Sequence, residues 1–119
     1  MRVFLDASVL LAAAYSASGA SREIIRRGIL GELSLVVSAL VVTEARRNLE
    51  AKAPSAVGDL KILLEAAAPQ MVRPSEQEVR GAMRKVAAKD APVRAAAVKA
   101  GADCLVSLDR KHLVGVPGL

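Results

Sequence analysis

The sequence predicts an α/β domain built on a central parallel sheet, and three observations carry that reading. Short, continuously apolar runs rich in β-branched residues recur at positions 3–5, 33–37 and 104–106. Runs of this kind suit strands buried on both faces of a parallel sheet. Segments with helical caps and helical apolar spacing fill the intervals, which is the pattern of βαβ units. No repeat, low-complexity tract or long charge run divides the chain, so residues 1–119 read as a single domain.

The elements follow in order. The first strand ends at Asp6. Ser21 caps a helix through Leu30, with Gly31 just past its end. The strand at 33–37 leads to Ser38, which caps a helix running to about Lys52, before Pro54. Leu60, Leu63, Leu64 and Ala67 mark the buried stripe of the next helix. Met71 and Val72, bracketed by Pro69 and Pro74, form a short additional strand. Ser75 and Glu78 make a capping-box pattern opening a fourth helix, with Val79, Met83 and Val86 on one face. Asp90, with Pro92 close behind, opens a fifth that ends at Gly101. The last strand, 104–106, leads to Ser107 and Asp109, and local loops are expected at 16–20 and 53–59.

Composition narrows the function. Hydrophobic residues make up 53% of the 119, enough for a buried core, while Phe4 and Tyr15 are the only aromatics. That scarcity argues against a reader of single strands by base stacking on aromatic rings. Lys and Arg number 17 against 12 acidic residues, a net charge of +5 that favours a polyanionic partner. Because the basic residues are spread along the chain, ordinary solubility charge remains an equal alternative. One cysteine, Cys104, permits neither an intrachain disulfide nor a zinc cluster, and points to a reducing, cytoplasmic setting. Asp6 interrupts the opening apolar stretch, so it reads neither as a signal peptide nor as a membrane span.

Four carboxylates fall where a parallel sheet binds ligands, beyond the carboxyl ends of its strands. Asp6 ends the first strand, Asp109 follows the last, Glu44 sits early in the helix after the second, and Asp90 begins the helix leading into the last. Oxygen-only ligands suit Mg²⁺ or Mn²⁺, and a cation would neutralise the repulsion of such a cluster. It could also orient a water and stabilise a phosphate during in-line attack. Each acid has a bland reading: Asp90 as a helix cap, Glu44 as a solvated helix residue, Asp109 as part of a polar turn. Asp6 is harder to dismiss, because a carboxylate directly after a buried strand needs a partner. Asp103, before the last strand, is expected at the opposite edge. Ser8 and Ser107 can orient the carboxylates or serve only as turn hydroxyls. His112 reads as a surface residue and Cys104 as an inert core thiol.

With these positions in view, the sequence resembles the PIN-domain ribonucleases, including the VapC-like toxin subunits of type II toxin–antitoxin pairs. VFLDASVLLAA at 3–13 looks like the family's strand, Asp and small or hydroxyl-bearing pair. VVTEARRNL at 41–49 looks like its helix carrying an acidic residue, and KDAPVRAAAVKAGADCLVSLDRKHL at 89–113 is the strongest match. The resemblance implies a three-layer α/β/α domain that cuts RNA with Mg²⁺ or Mn²⁺. It assigns metal binding and catalysis to Asp6, Glu44, Asp90 and Asp109, with Ser8 and Ser107 in support. It further implies a homodimer, or a partnership with an antitoxin protein. Two departures stand out: Ser8 replaces an Asn found in many members, and the chain stops at 115–119, where members commonly continue into a last strand. The expectation is thus a truncated or compact member lacking that strand.

Arg22, Arg46, Arg47, Arg110 and Lys111 lie near the proposed carboxyl edge and are the expected holders of the RNA backbone. The alternatives are a PIN-like protein that holds RNA or a partner without cutting it, and an RNA-processing ribonuclease in place of a toxin. A haloacid-dehalogenase phosphohydrolase would want a second Asp at position 8, where this chain has Ser.

Overall fold

A computed structural model describes residues 1–108 of the chain. The elements are β1 (Arg2–Leu5), α1 (Ala7–Tyr15), α2 (Ala20–Ile29), β2 (Ser34–Ser38), α3 (Ala39–Lys52), a 3-10 turn (Pro54–Ala56), α4 (Val57–Ala67), β3 (Gln70–Val72), α5 (Glu76–Ala82), α6 (Ala91–Lys99) and β4 (Cys104–Val106). The strands form one parallel sheet in the order β3-β2-β1-β4. Phe4, in the middle of β1, pairs with Val36 on one side and Leu105 on the other.

Topology decides which helices cover which face. The crossovers β1 to β2 and β2 to β3 step one way across the sheet, whereas β3 to β4 steps back past β2 and β1. Right-handed connections therefore put α1–α4 on one face and α5 and α6 on the other. The packing agrees: α1 touches α2, α3 and α4, while α5 packs on α6 and α6 on β2. The result is the expected three-layer α/β/α arrangement. Its main core gathers Phe4, Leu5, Val9, Leu10, Ile25, Val36, Val41 and Leu49, with Ala96 and Ala97 of α6 from the opposite face.

Helix α1 was not foreseen. ASVLLAAAY is apolar nearly all round, so it shows no helical stripe, and Ala7, Val9, Leu10, Ala13 and Ala14 are all buried. It is the central helix of its layer, and a helix buried on most sides loses the amphipathic signal. Helix α2 begins earlier than Ser21: its N-cap is Gly19, whose φ of 109° favours glycine, and Ser21 is buried in the first turn. Helix α5 stops at Ala82, short of Val86, because the chain tightens through Met83 N–H bonds to Val79 and Arg80. Met83 is consequently exposed, while Val79 and Val86 pack against Ala82, Ala91 and Ala95 as expected. The capping box of Ser75 and Glu78 is present.

Two small residues set opposite expectations for stability. A Cβ at Gly28 would collide with the Leu35 side chain, approaching its Cγ to 2.6 Å, so α2 lies on β2 only because no side chain intervenes. Ala68, which ends α4, is left-handed at φ 44°, a conformation glycine adopts without cost. Gly28→Ala should lose about 1–3 kcal/mol by overpacking. Ala68→Gly should gain about 1 kcal/mol. Urea denaturation of both variants checks the signs; a neutral Gly28→Ala would mean that Leu35 repacks freely.

Candidate metal and nucleic-acid site

The strand order reverses between β1 and β4, and in such sheets the crevice beyond the carboxyl ends opens at that switch point. Asp6 follows β1 there and Ser107 follows β4. Asp6 is only 4% exposed and Ser107 6%. The Ser107 hydroxyl donates to Asp6 Oδ2 at 2.8 Å, and the Ser8 hydroxyl reaches the same oxygen at 3.5 Å. The two hydroxyls are 3.3 Å apart, and Ser8 Oγ also accepts the Leu108 N–H at 3.0 Å. The Asp6 N–H donates to Val106 O, and its carbonyl accepts the N–H groups of Val9 and Leu10, opening α1. Asp6, Ser8 and Ser107, singled out from sequence, are thus brought into one hydrogen-bonded group.

Glu44 is exposed in the second turn of α3, flanked by buried Val41 and Ala45. Asp90 is half-buried at the N-cap of α6. Its side chain makes no cap hydrogen bond, so capping does not account for it. Because α6 leads back into β4, Asp90 stands at the same carboxyl edge as Asp6. Among the described residues, no three His, Cys, Asp or Glu side chains gather closely enough to form a metal-holding group. Asp109, with Arg110, Lys111 and His112, lies outside the described residues. The donor chemistry still fits a hard cation, since Mg²⁺ keeps several waters and takes only one or two carboxylates beside substrate phosphates.

Other positions fall as expected or are newly visible. Asp103 lies at the amino edge, where Oδ2 accepts the Arg2 N–H at 2.7 Å. The Cys104 thiol is pushed up by burial and then by Asp103, which leaves it protonated and inert. The predicted RNA holders differ in surroundings: Arg22 Nε donates to Ala13 O at 2.7 Å, and Arg46 pairs with Glu50 at 3.7 Å. Arg47, by contrast, lines a cleft at the carboxyl edge. Sequence reading passed over Arg94, one turn beyond Asp90 on α6 and only 5% exposed. Its Ala-rich surroundings are the signal that could have found it, because a cation there must be buried with its helix.

The Ser107 bond to a buried carboxylate is charge-assisted, so Ser107→Ala should lose about 1.5–3 kcal/mol in urea denaturation. Ser8→Ala should lose less through Asp6, its bond being longer. A Ser107→Ala protein as stable as the parent would show that this hydroxyl does not hold Asp6.

Among the described residues, no helix is long and apolar enough to cross a membrane. A search against curated proteins returned no match. A family model described as PIN domain matches residues 2–111, from the start of β1 past the end of β4. PIN domains are generally nucleases that use divalent metals. With that match and the all-parallel three-layer fold, the chain belongs to the PIN-domain family.

Proposed function

We propose that the chain is an Mg²⁺- or Mn²⁺-dependent endoribonuclease, with Asp6, Glu44, Asp90 and Asp109 as its metal ligands and acting residues. The observation that carries the reading is Asp6, buried at the switch point with Ser107 and Ser8 both directed at Oδ2. A carboxylate held by hydroxyl donors is fixed in direction, as a ligand oxygen must be. Bound there, the ion would lower the pKa of a water and offset the charge of the phosphate under attack. The protein's part is to orient: Ser107 and Ser8 hold Asp6, α3 carries Glu44, and α6 presents Asp90. A net charge of +5 supports a polyanionic substrate.

The finer form of the proposal is the toxin of a toxin–antitoxin pair, acting in the cytoplasm as a homodimer or bound to its antitoxin. A small antitoxin gene beside this one, and the mass of the protein in solution, bear directly on that form.

The decisive comparison sets the parent beside Asp6→Asn in thermal melts with Mn²⁺ or chelator, together with cleavage of end-labelled structured RNAs. Metal bound by the folded state alone stabilises it by about 2.7 kcal/mol at a hundredfold excess over Kd. The parent should show that gain and cut RNA. Asp6→Asn should stay folded in chelator, because its amide oxygen can still accept the Ser107 hydroxyl, yet lose both the gain and the cleavage. A parent that melts identically with Mn²⁺ and chelator, beside a variant that cleaves normally, would overturn the proposal.

A further inference from the structure

Beside the switch point, the carboxyl edge carries a cleft of about 420 Å³ that Asp6, Glu44 and Asp90 do not line. Its walls include Ser38 at the end of β2, Thr43 and Arg47 of α3, Val72 and Arg73 at the end of β3, and Pro92 of α6. Thr43 directly precedes Glu44, and Pro92 lies two residues after Asp90. The cleft is therefore walled by α3, which carries Glu44, and by the first turn of α6, which Asp90 opens.

Its charge is one-signed. Arg26 and Arg27 pair with Glu23, Arg46 with Glu50, Arg80 with Glu76 and Lys99 with Glu78. No acidic side chain lines the cleft among the described residues, and both of its arginines are exposed. Two guanidinium forks facing one space, with Leu40, Val72 and Pro92 as apolar wall, match a phosphate carrying a sugar or base.

Arg73 is also held in place. Its carbonyl accepts Lys99 Nζ at 2.9 Å, and the same ammonium donates to Glu78 Oε1 at 3.0 Å. Glu78 in turn accepts the Ser75 N–H at 2.8 Å, and Pro74 keeps Arg73 extended. The Ser75 N–H, and then Lys99, hold the Glu78 carboxyl below the usual carboxylate range, so that carboxylate stays ionised at neutral pH. The turn carrying Arg73 is thus tied to both α5 and α6.

We propose that this cleft binds the backbone of unpaired RNA flanking the scissile bond, with Arg47 and Arg73 each taking a phosphate. The proposal rests on the nuclease reading for the identity of its substrate. An unpaired strand fits because its sugar and base faces are free to lie on the apolar wall, whereas a duplex hides them.

Binding of a labelled single-stranded RNA is measured by fluorescence anisotropy across a salt series, in chelator so that nothing is cut. The variants are Arg47→Ala, Arg73→Ala and Arg73→Lys, with Arg84→Ala as an exposed cation outside the cleft. Each alanine variant in the cleft should bind about three- to tenfold more weakly and lower the salt slope by about 0.7. Arg73→Lys should keep the slope but recover affinity only in part, since the charge remains and the fork is lost. Arg84→Ala should match the parent. Cleft variants that bind like Arg84→Ala, or a parent that does not bind RNA, would overturn the proposal. So would polyglutamate that displaces the RNA and binds with the same dependence on Arg73, marking an acidic protein partner. A parent that binds through Arg73 but leaves RNA intact in Mn²⁺ would overturn only the nuclease reading.

Discussion

A carboxylate at the end of the central strand has to be buried, and much of the carboxyl edge is arranged around that constraint. Asp6 leaves β1 where the sheet is covered on both faces, and its carboxylate is almost wholly withdrawn from the surface. The donors that make its burial tolerable come from opposite ends of the chain: Ser8 from the first turn of α1, and Ser107 from beyond β4. The main chain of the same residue starts α1 and closes the ladder to β4 through Val106. One residue therefore couples the β1–β4 pairing, the start of the central helix and the end of the last described strand. The coupling sits where the crossovers diverge, so the crevice and the buried acid share one cause.

Much of this was legible in the sequence, for identifiable reasons. Strands buried on both faces read as unbroken apolar runs, and residues 3–5 and 104–106 were found that way. Ser75 and Glu78 announced α5 because a capping box is a local motif that needs no tertiary help. Asp6, Ser8 and Ser107 were legible because strand ends can be counted, which fixes what stands at the switch point. Helix α1 was not, since nearly every side of it is apolar. The end of α5 was missed because its last turn tightens around packing with Ala91 and Ala95 that no local pattern encodes. Asp90 was weighed as a metal ligand against a plain helix cap; it stands at the N-cap, but the cap bond of that alternative is absent.

Charge was the least legible property. Seventeen basic residues scattered along 119 positions give a net sign and no direction. Folding sorts them by neighbour. Helical spacing hands Arg26, Arg27, Arg46 and Arg80 to acids three or four residues away, where solvent leaves each pair worth little. The Glu23 carboxyl, between two arginines, is pulled down to about 2 by their hydrogen bonds, so one of the two positive charges is offset toward a distant anion. Arg22, expected on the substrate, turns its Nε to the Ala13 carbonyl and ties α2 to α1. Among the described residues, Arg47 and Arg73 line a cleft at the carboxyl edge that no acid lines, and Arg73 stands in no motif at all.

The two helical layers contribute unequally and have to meet at this edge. The α1–α4 side supplies Asp6, Ser8, Glu44 and Arg47, and the α5–α6 side supplies Asp90, Pro92 and Lys99. Strand β3 lies at the edge of the sheet, is only three residues long and is mostly exposed, so its own ladder holds it weakly. Lys99 compensates from the far layer by taking the Arg73 carbonyl and the Glu78 carboxylate together. A substrate strand laid in the cleft would thus touch α3 from one layer and a turn fixed by α6 from the other. The layers are joined through the sheet core, where Ala96 and Ala97 share a cluster with Phe4 and Val36.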